Sequence, residues 1–160
     1  MRCAPALYTS LNRVKYPFDH NDEFLYTSDL EFVKRFDSKK KCYENSGTIA
    51  HAAHASIVSA AAPDLRSSAE TFDTEKMRAL LQAICYAPLI LDQSIDTLIL
   101  GCIGSGAFRN DPHVIAALFL EIIPNLKPYY KNIVFAIPDS TSTNYRVYWN
   151  VLKAALAVVT

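Results

Sequence analysis

Glycine is rare in this chain, and its distribution constrains the fold more than any other feature. The 160 residues contain four glycines, and three of them lie within the segment Gly101–Gly106. An apolar run, Leu98–Leu100, comes directly before this segment, and a pattern typical of an amphipathic helix begins near Pro112. A strand, a glycine-rich turn and a helix bring backbone N–H groups close to an anion, because glycine lacks a Cβ and the helix N-terminus carries partial positive charge.

The segment Gly101–Phe108, which we call the glycine loop, has two interpretations that its spacing leaves open. It matches neither G-x-x-x-x-G-K-[ST] nor G-x-G-x-x-G, so neither standard nucleotide-binding motif applies. Under one interpretation the loop binds a phosphate group. Under the other it is a tight structural turn that leads into the following helix.

Composition excludes several classes of protein. The formal net charge is zero, so no broad positive field attracts nucleic acid or an acidic membrane. No apolar run is long enough to span a membrane, and the N-terminus lacks the apolar core of a signal peptide. The scattered cysteines contain no C-x-x-C pair, so we predict no metal site, no cofactor, and reduced thiols in an intracellular compartment, cytoplasmic or nuclear. These cysteines are Cys3, Cys42, Cys85 and Cys102.

Apolar runs alternate with helical patterns along most of the chain, which predicts a single α/β domain over residues 1–160. The first forty residues are expected to be extended, with one strand near Leu30–Phe36. Continuous apolar strands separated by helices favour one mostly parallel sheet that is covered on both faces. The predicted central strands are 56–61, 96–100 and 132–137. The predicted helices are 74–86 with Thr74 as N-cap, 112–123, and 144–158.

Three predicted strand ends carry residues suited to binding a ligand. They are Ala61–Asp64, the glycine loop and Pro138–Ser140. In open α/β sheets, ligands bind beyond the carboxyl ends of the strands. If these strands are parallel neighbours, the three ends therefore line one cleft.

Short segments at these strand ends carry a family resemblance. The chain reads SAAAPDLR at 59–66, LGCIGSGAFRN at 100–110 and IVFAIPD at 133–139. In order and spacing these segments resemble the C-terminal part of microbial-type poly(ADP-ribose) glycohydrolases, which are macrodomains. LYTSDLEFVKRF at 25–36 is similar to a further strand region of that family. The resemblance covers nearly the whole chain and implies a three-layer α/β/α macrodomain-like fold with a mostly parallel or mixed sheet.

The resemblance also implies a site for ADP-ribose or a related nucleotide. Asn144 or Tyr145 is expected to flank the adenine. Phe108 either packs near the ligand ribose or anchors the loop against the helix. The diphosphate is expected on the glycine loop, through Gly101, Gly104, Ser105, Gly106, Ala107 and Phe108.

The loop departs from the family pattern at three positions. Ser105 replaces the family's second cysteine and still offers a hydrogen-bond donor. Ile103 replaces a tryptophan. Arg109 replaces the glycine after the phenylalanine, and it either adds a charged contact to phosphate or points to solvent. We expect it to point to solvent.

The catalytic segment of the family, Gln-Glu-Glu, is not found in the sequence. The run Arg2–Leu11 resembles a family segment that follows those acids, so the resemblance implies an N-terminally truncated macrodomain. We expect a protein that binds ADP-ribose or a nucleotide diphosphate without glycohydrolase activity. One alternative is a hydrolase whose acids come from elsewhere, and another is a protein-interaction module without a ligand. Missing strands would expose a sheet edge, which predicts a homodimer or a protein partner that covers it.

Several other polar and aromatic residues are candidates for chemical roles, and none is predicted to be catalytic. Cys102 lies near a helix N-terminus, where a thiol can be activated, but packing is the preferred role. His51 and His54 have the spacing of one helical face, yet no third metal ligand is evident, and His113 is expected to be exposed or capping. Asp64, Asp111 and Asp139 are expected to be turn or capping residues. Packing is the preferred role for Tyr145, Tyr148 and Trp149.

Overall fold

The structure is a computed structural model. It describes residues 5–14, 23–32, 34–37, 39, 42–45, 53–67 and 71–156. These residues form two compact units, one holding most of the described chain up to Ser59 and the other the chain from Ala60 onward. The single domain predicted over residues 1–160 stays a prediction. Among the described residues, no helix combines the length and apolar character that crossing a membrane requires.

The first unit contains one short helix and four strands. β1 is hydrogen-bonded to β4, while β2 and β3 form an antiparallel pair. The helix α1 was not predicted, since the sequence pattern there indicated only extended chain. The strand predicted near Leu30–Phe36 is found, divided between β1 and β2. The elements are α1 (Pro5–Leu11), β1 (Phe24–Phe32), β2 (Lys34–Asp37), β3 (Cys42–Asn45) and β4 (Ala53–Ala60).

The second unit alternates helix and strand, as the sequence predicts. Its two strands, β5 and β6, are parallel, and Leu98 pairs with Ile133 and Leu100 with Phe135. Each predicted helix and strand of this part of the chain is present, with ends that coincide or differ by at most five residues. Residues 157 and 158 of the last predicted helix lie outside the described residues. The elements are α2 (Thr74–Leu91), β5 (Thr97–Leu100), α3 (Pro112–Leu126), β6 (Asn132–Phe135) and α4 (Thr143–Leu156).

One prediction about the sheet is wrong. Residues 56–61 were expected to share a sheet with 96–100 and 132–137, but β4 is hydrogen-bonded to β1. The parallel sheet of the described residues contains β5 and β6 alone. The run at 56–61 consists largely of Ala, Ser and Val, and such a pattern indicates a strand without identifying its neighbour.

The N-cap and the last residue of α2 both differ from the predicted ones. Its N-cap is Asp73, one residue before the predicted Thr74, and the Asp73 carboxylate accepts from the N–H groups of Glu75 and Lys76 at 3.0 and 3.1 Å. The helix continues beyond the predicted end at residue 86 and includes Pro88, which is buried. Proline removes one hydrogen bond of a helix, so the packing of this last turn must offset that loss.

The core of the second unit lies between α2, α3, α4 and one face of the parallel strands. Phe119 meets Phe135 edge to face, with ring centroids 5.2 Å apart, and Phe135 lies 5.7 Å from Tyr148. Leu98 and Leu100 point into this core, whereas Ile99 between them is 67% exposed. The most completely buried members are Met77, Leu80, Leu81, Cys85, Ile115, Phe119, Leu126 and Tyr148.

Candidate functional site

The glycine loop is a series of tight turns between β5 and α3. The N–H of Ser105 donates to the carbonyl of Cys102, and the N–H of Arg109 donates to that of Gly106, both at 3.1 Å. Asp111 then begins α3, because its carboxylate accepts from the N–H of His113 at 2.8 Å. The backbone therefore has a defined path from the end of the strand to the start of the helix.

Most N–H groups of the loop's second half have no acceptor. Within the described chain, the N–H groups of Gly104, Gly106, Ala107 and Phe108 donate to no backbone or side-chain oxygen, whereas that of Ser105 does. Gly106 and Ala107 are exposed. Backbone donors that lack a protein acceptor and follow one another in a turn are suited to an anion.

The three glycines of the loop serve two different purposes. Gly104 has φ of 70°, and a Cβ there would lie 2.6 Å from Nδ2 of Asn110 and 2.8 Å from Cβ of Ala62. Its lack of a side chain is therefore required by the protein itself. A Cβ on Gly101 or Gly106 would meet no atom within 4 Å. Neither glycine is explained by packing, which leaves room for a ligand beside the backbone.

Asn110 holds the loop in shape from beneath. Its side chain is 2% exposed, and Nδ2 donates to the carbonyls of Pro63 at 2.8 Å, Gly104 at 3.1 Å and Phe108 at 3.4 Å. Its Oδ1 is buried and has no partner among the described residues. Asn110 is the last residue of the segment LGCIGSGAFRN, and the sequence pattern does not predict a role for it. The available signal was a single amide at a strand-to-helix turn, a place where small polar residues are common.

The first turns of α4 contact the same loop. Nδ2 of Asn144 donates to the carbonyl of Ser105 at 3.0 Å. The Tyr148 hydroxyl is buried and has no hydrogen-bond partner among the described residues, and burial together with nearby Cys102 raises the pKa of Tyr148. The structure thus brings Asn144, a predicted site residue, to the glycine loop, where its amide supports the backbone.

The aromatic residues of α4 divide between core and surface. Tyr148 packs in the core, as predicted. Trp149 was also expected to pack, but it is 54% exposed. Its ring stacks on Tyr145, with centroids 6.3 Å apart, and Lys153 lies over it. Helical spacing placed these residues one turn apart correctly, but it did not show which of them faces the core.

Phe108 joins the glycine loop to the segment that follows β4. Its carbonyl accepts from the N–H of Leu65 at 3.0 Å, and its half-buried ring packs against the core. The guanidinium of Arg66 lies over that ring, with Cζ 5.3 Å from the centroid. The anchoring role expected for Phe108 is present, and contact with a ligand ribose stays a prediction. Arg109 is exposed, as expected, and adopts φ of 60°, a left-handed conformation that favours glycine.

The three aspartates that follow strands are occupied in local structure. Asp64 binds Arg66, and this hydrogen bond holds the pKa of the Asp64 carboxyl below its ordinary value. Asp139 accepts from the N–H and hydroxyl of Thr141 at 2.8 and 2.7 Å, which lowers its pKa too. With Asp111 as the N-cap of α3, the prediction of turn and capping roles is confirmed. A general acid needs a raised pKa, so neither Asp64 nor Asp139 is prepared for that task.

The remaining nucleophile and metal candidates gain no support from the structure. Burial raises the pKa of the Cys102 thiol, which opposes its activation and agrees with a packing role. His54 lies on strand β4, where Nδ1 is 2.9 Å from Asp29, so the helical face proposed for the two histidines is wrong for this residue. His51 lies outside the described residues. His113 is exposed, as expected.

Solved structures of other proteins have a similar fold. A variant of poly(ADP-ribose) glycohydrolase from Deinococcus radiodurans with ADP-ribose matches with a TM-score of 0.69 and 19% identity, over 84% of this chain and 54% of that one. The chain has a poly(ADP-ribose) glycohydrolase-like fold. A second Deinococcus structure, also with ADP-ribose, gives a TM-score of 0.69 and 17% identity over 94% of this chain and 59% of that chain.

The glycohydrolase of Thermomonospora curvata is also similar, with a TM-score of 0.61 and 19% identity over 86% of this chain and 47% of that chain. This chain therefore spans about half the length of the glycohydrolases that it resembles. No protein-family model matches the sequence. No curated protein matches it either. The macrodomain-like α/β fold predicted from the short segments is confirmed by these structures.

Proposed function

We propose that the chain binds ADP-ribose, with the diphosphate on the glycine loop. The N–H groups of Gly104, Gly106, Ala107 and Phe108 would donate to phosphate oxygens, and the Ser105 hydroxyl would add a further donor. Asn144 would support the loop through the Ser105 carbonyl. Two solved structures of similar fold from Deinococcus hold ADP-ribose, which supports this choice of ligand.

The observation that carries the proposal is the combination of unpaired N–H groups and empty space at Gly106. A loop that served only as a turn would gain nothing from glycine there, since a Cβ would meet no protein atom within 4 Å. A ligand lying against the backbone would account for the missing side chain. We also propose an intracellular location, which the free thiols of Cys85 and Cys102 support.

Replacing Gly106 by valine is expected to weaken ADP-ribose binding at least about tenfold, because a branched Cβ would block approach to several charge-assisted hydrogen bonds. Isothermal titration calorimetry on the wild type and on Gly106→Val measures this. Ala117, an exposed residue on α3, provides the matched control, and Ala117→Val should bind like the wild type. Equal binding by a folded Gly106→Val would refute the site. Absence of binding by the wild type would favour a protein-interaction module.

We further propose that the chain does not hydrolyse poly(ADP-ribose) by itself. Glycosidic cleavage uses a carboxylic acid with a raised pKa, and the pKa values of Asp64 and Asp139 are lowered by their hydrogen bonds. A positioned acid or base typically contributes about 10²–10⁴-fold to the rate. Release of ADP-ribose from labelled polymer should therefore stay near the background rate. Robust release that Asp64→Asn or Asp139→Asn abolishes would show instead that the chain is a hydrolase and would identify its acid.

A further inference from the structure

Two arginines and one aspartate lie together at the end of the glycine loop. Arg66 is hydrogen-bonded to Asp64, and the charge of exposed Arg109 also acts on the Asp64 carboxylate. Asp111 follows Arg109 by two residues, so the formal charges at this end of the loop balance, as they do over the whole chain. Attraction of an anion here therefore depends on how the Arg66 guanidinium is oriented.

The guanidinium of Arg66 contacts two neighbouring side chains, those of Asp64 and Phe108. Its Nε donates to both carboxylate oxygens of Asp64, at 2.8 and 3.0 Å, and Nη2 donates to Oδ2. The guanidinium also lies over the ring of Phe108, with Cζ 5.3 Å from the ring centroid. Phe108 is held in turn by the N–H of Leu65 at its carbonyl. The guanidinium is thereby oriented before any ligand arrives, which reduces the entropy lost on binding.

The opposite edge of the guanidinium remains available. Nη1 of Arg66 donates to no acceptor in the described part of the chain, and the Arg66 side chain is 56% exposed. The residue beneath it, Phe108, also has an unpaired N–H, as does neighbouring Ala107. The free edge of the Arg66 guanidinium and the N–H groups of Ala107 and Phe108 are hydrogen-bond donors of the kind that suit phosphate oxygens.

We infer that Arg66 is a specificity-determining residue of the ADP-ribose site, donating from Nη1 to a phosphate oxygen of the diphosphate. This inference rests on the proposed function. Asp64 acts as a positioning residue, because it holds the guanidinium in place and leaves Nη1 free. The site therefore selects its ligand by negative charge as well as by the shape of the loop.

Calorimetry with ADP-ribose and with uncharged adenosine tests the inference. Arg66→Gln should weaken ADP-ribose binding at least about tenfold, as expected for the loss of a hydrogen bond between charged groups. Arg66→Lys should recover part of that affinity, since it keeps the charge without the planar edge. For Arg66→Gln the affinity for ADP-ribose should fall less steeply with added salt than it does for the wild type, whereas Arg66→Lys, which keeps the charge, should retain the wild-type salt dependence. Adenosine affinity should not change.

Arg78 provides a matched control, because it pairs with Glu75 and Glu121 on α2 and α3 and not with the glycine loop. Arg78→Gln should bind ADP-ribose within twofold of the wild type, a difference of about 0.4 kcal/mol by the standard conversion. If Arg66→Gln fails to fold, Arg66→Lys decides the matter, and it should bind ADP-ribose more weakly than the wild type. A wild type that binds no ADP-ribose overturns the proposed function and this inference together. Wild-type affinity in folded Arg66 variants overturns the inference alone.

Discussion

Alanine at Gly104 is expected to lower the free energy of unfolding by about 2–4 kcal/mol, combining the cost of a left-handed conformation with that of overpacking. The residue has φ of 70°, and the new Cβ would overlap Nδ2 of Asn110 and Cβ of Ala62. Neither neighbour can yield easily, because Asn110 is buried and hydrogen-bonded to three carbonyls. Urea unfolding followed by circular dichroism measures the change.

Gly106 supplies the control for this prediction, since it lies in the same loop and a Cβ there meets nothing within 4 Å. Gly106→Ala should change the free energy of unfolding by less than about 1 kcal/mol. Equal losses of unfolding free energy for Gly104→Ala and Gly106→Ala would contradict this conformation of the glycine loop.

The second large effect is expected at Asn110. Asn110→Ala removes a donor of three carbonyls. The carbonyls of Gly104 and Phe108 keep the backbone N–H groups of residue 110 and Leu65, but that of Pro63 loses its side-chain donor. An acceptor left unsatisfied where water cannot reach it costs about 1–3 kcal/mol. We expect a total loss of about 3 kcal/mol or more, because a cavity is added to the lost hydrogen bonds. Asn132, an exposed amide that donates to Thr97 at 3.3 Å, is the control. Asn132→Ala should cost less than about 0.5 kcal/mol.

Asn110→Asp gives this prediction a pH dependence. An ionised carboxylate facing three carbonyl oxygens is repelled, so the folded protein favours the protonated form and the pKa of this side chain rises above its unfolded value. Relative to the wild type, the variant is therefore least destabilised below the ordinary aspartate pKa of about 3.9, and the difference in stability grows as the pH rises through the raised value. Thermal unfolding of Asn110→Asp and of the wild type, compared at several values between about pH 3.5 and about pH 7, measures the trend. A difference in Tm that does not widen with pH would contradict the arrangement around Nδ2.

The sequence predicted the local elements of the second unit well, because their apolar residues recur at regular helical or strand spacing. It did not predict that β4 pairs with β1, since pairing depends on contacts between distant parts of the chain. The glycine loop was identified from composition and resemblance, yet its glycines looked equivalent. Their separation into one required by packing and two beside open space needed the positions of Ala62 and Asn110.

The polar residues of the site were harder to predict than its backbone. The turn role predicted for Asp64 is confirmed, but no pattern in the sequence indicates that Arg66 lies over Phe108, which is 42 positions further along the chain. Asn110 was passed over for the same reason, since its partners at Pro63 and Phe108 come together only in the folded chain.

The loop's tethers bear on the order in which the chain folds. The bond from Asn110 to Pro63 spans 47 positions, and the bond from Asn144 to Ser105 spans 39 in the other direction. Closing such distant contacts is slow compared with forming a helix, because chain entropy is lost before the contact is gained. The glycine loop therefore acquires its final shape late, after the segment following β4 and the first turn of α4 have docked. Among the hydrogen-bonded amides near these tethers, those of Leu65, Ser105 and Asn110 should be among the last to gain protection from exchange during refolding.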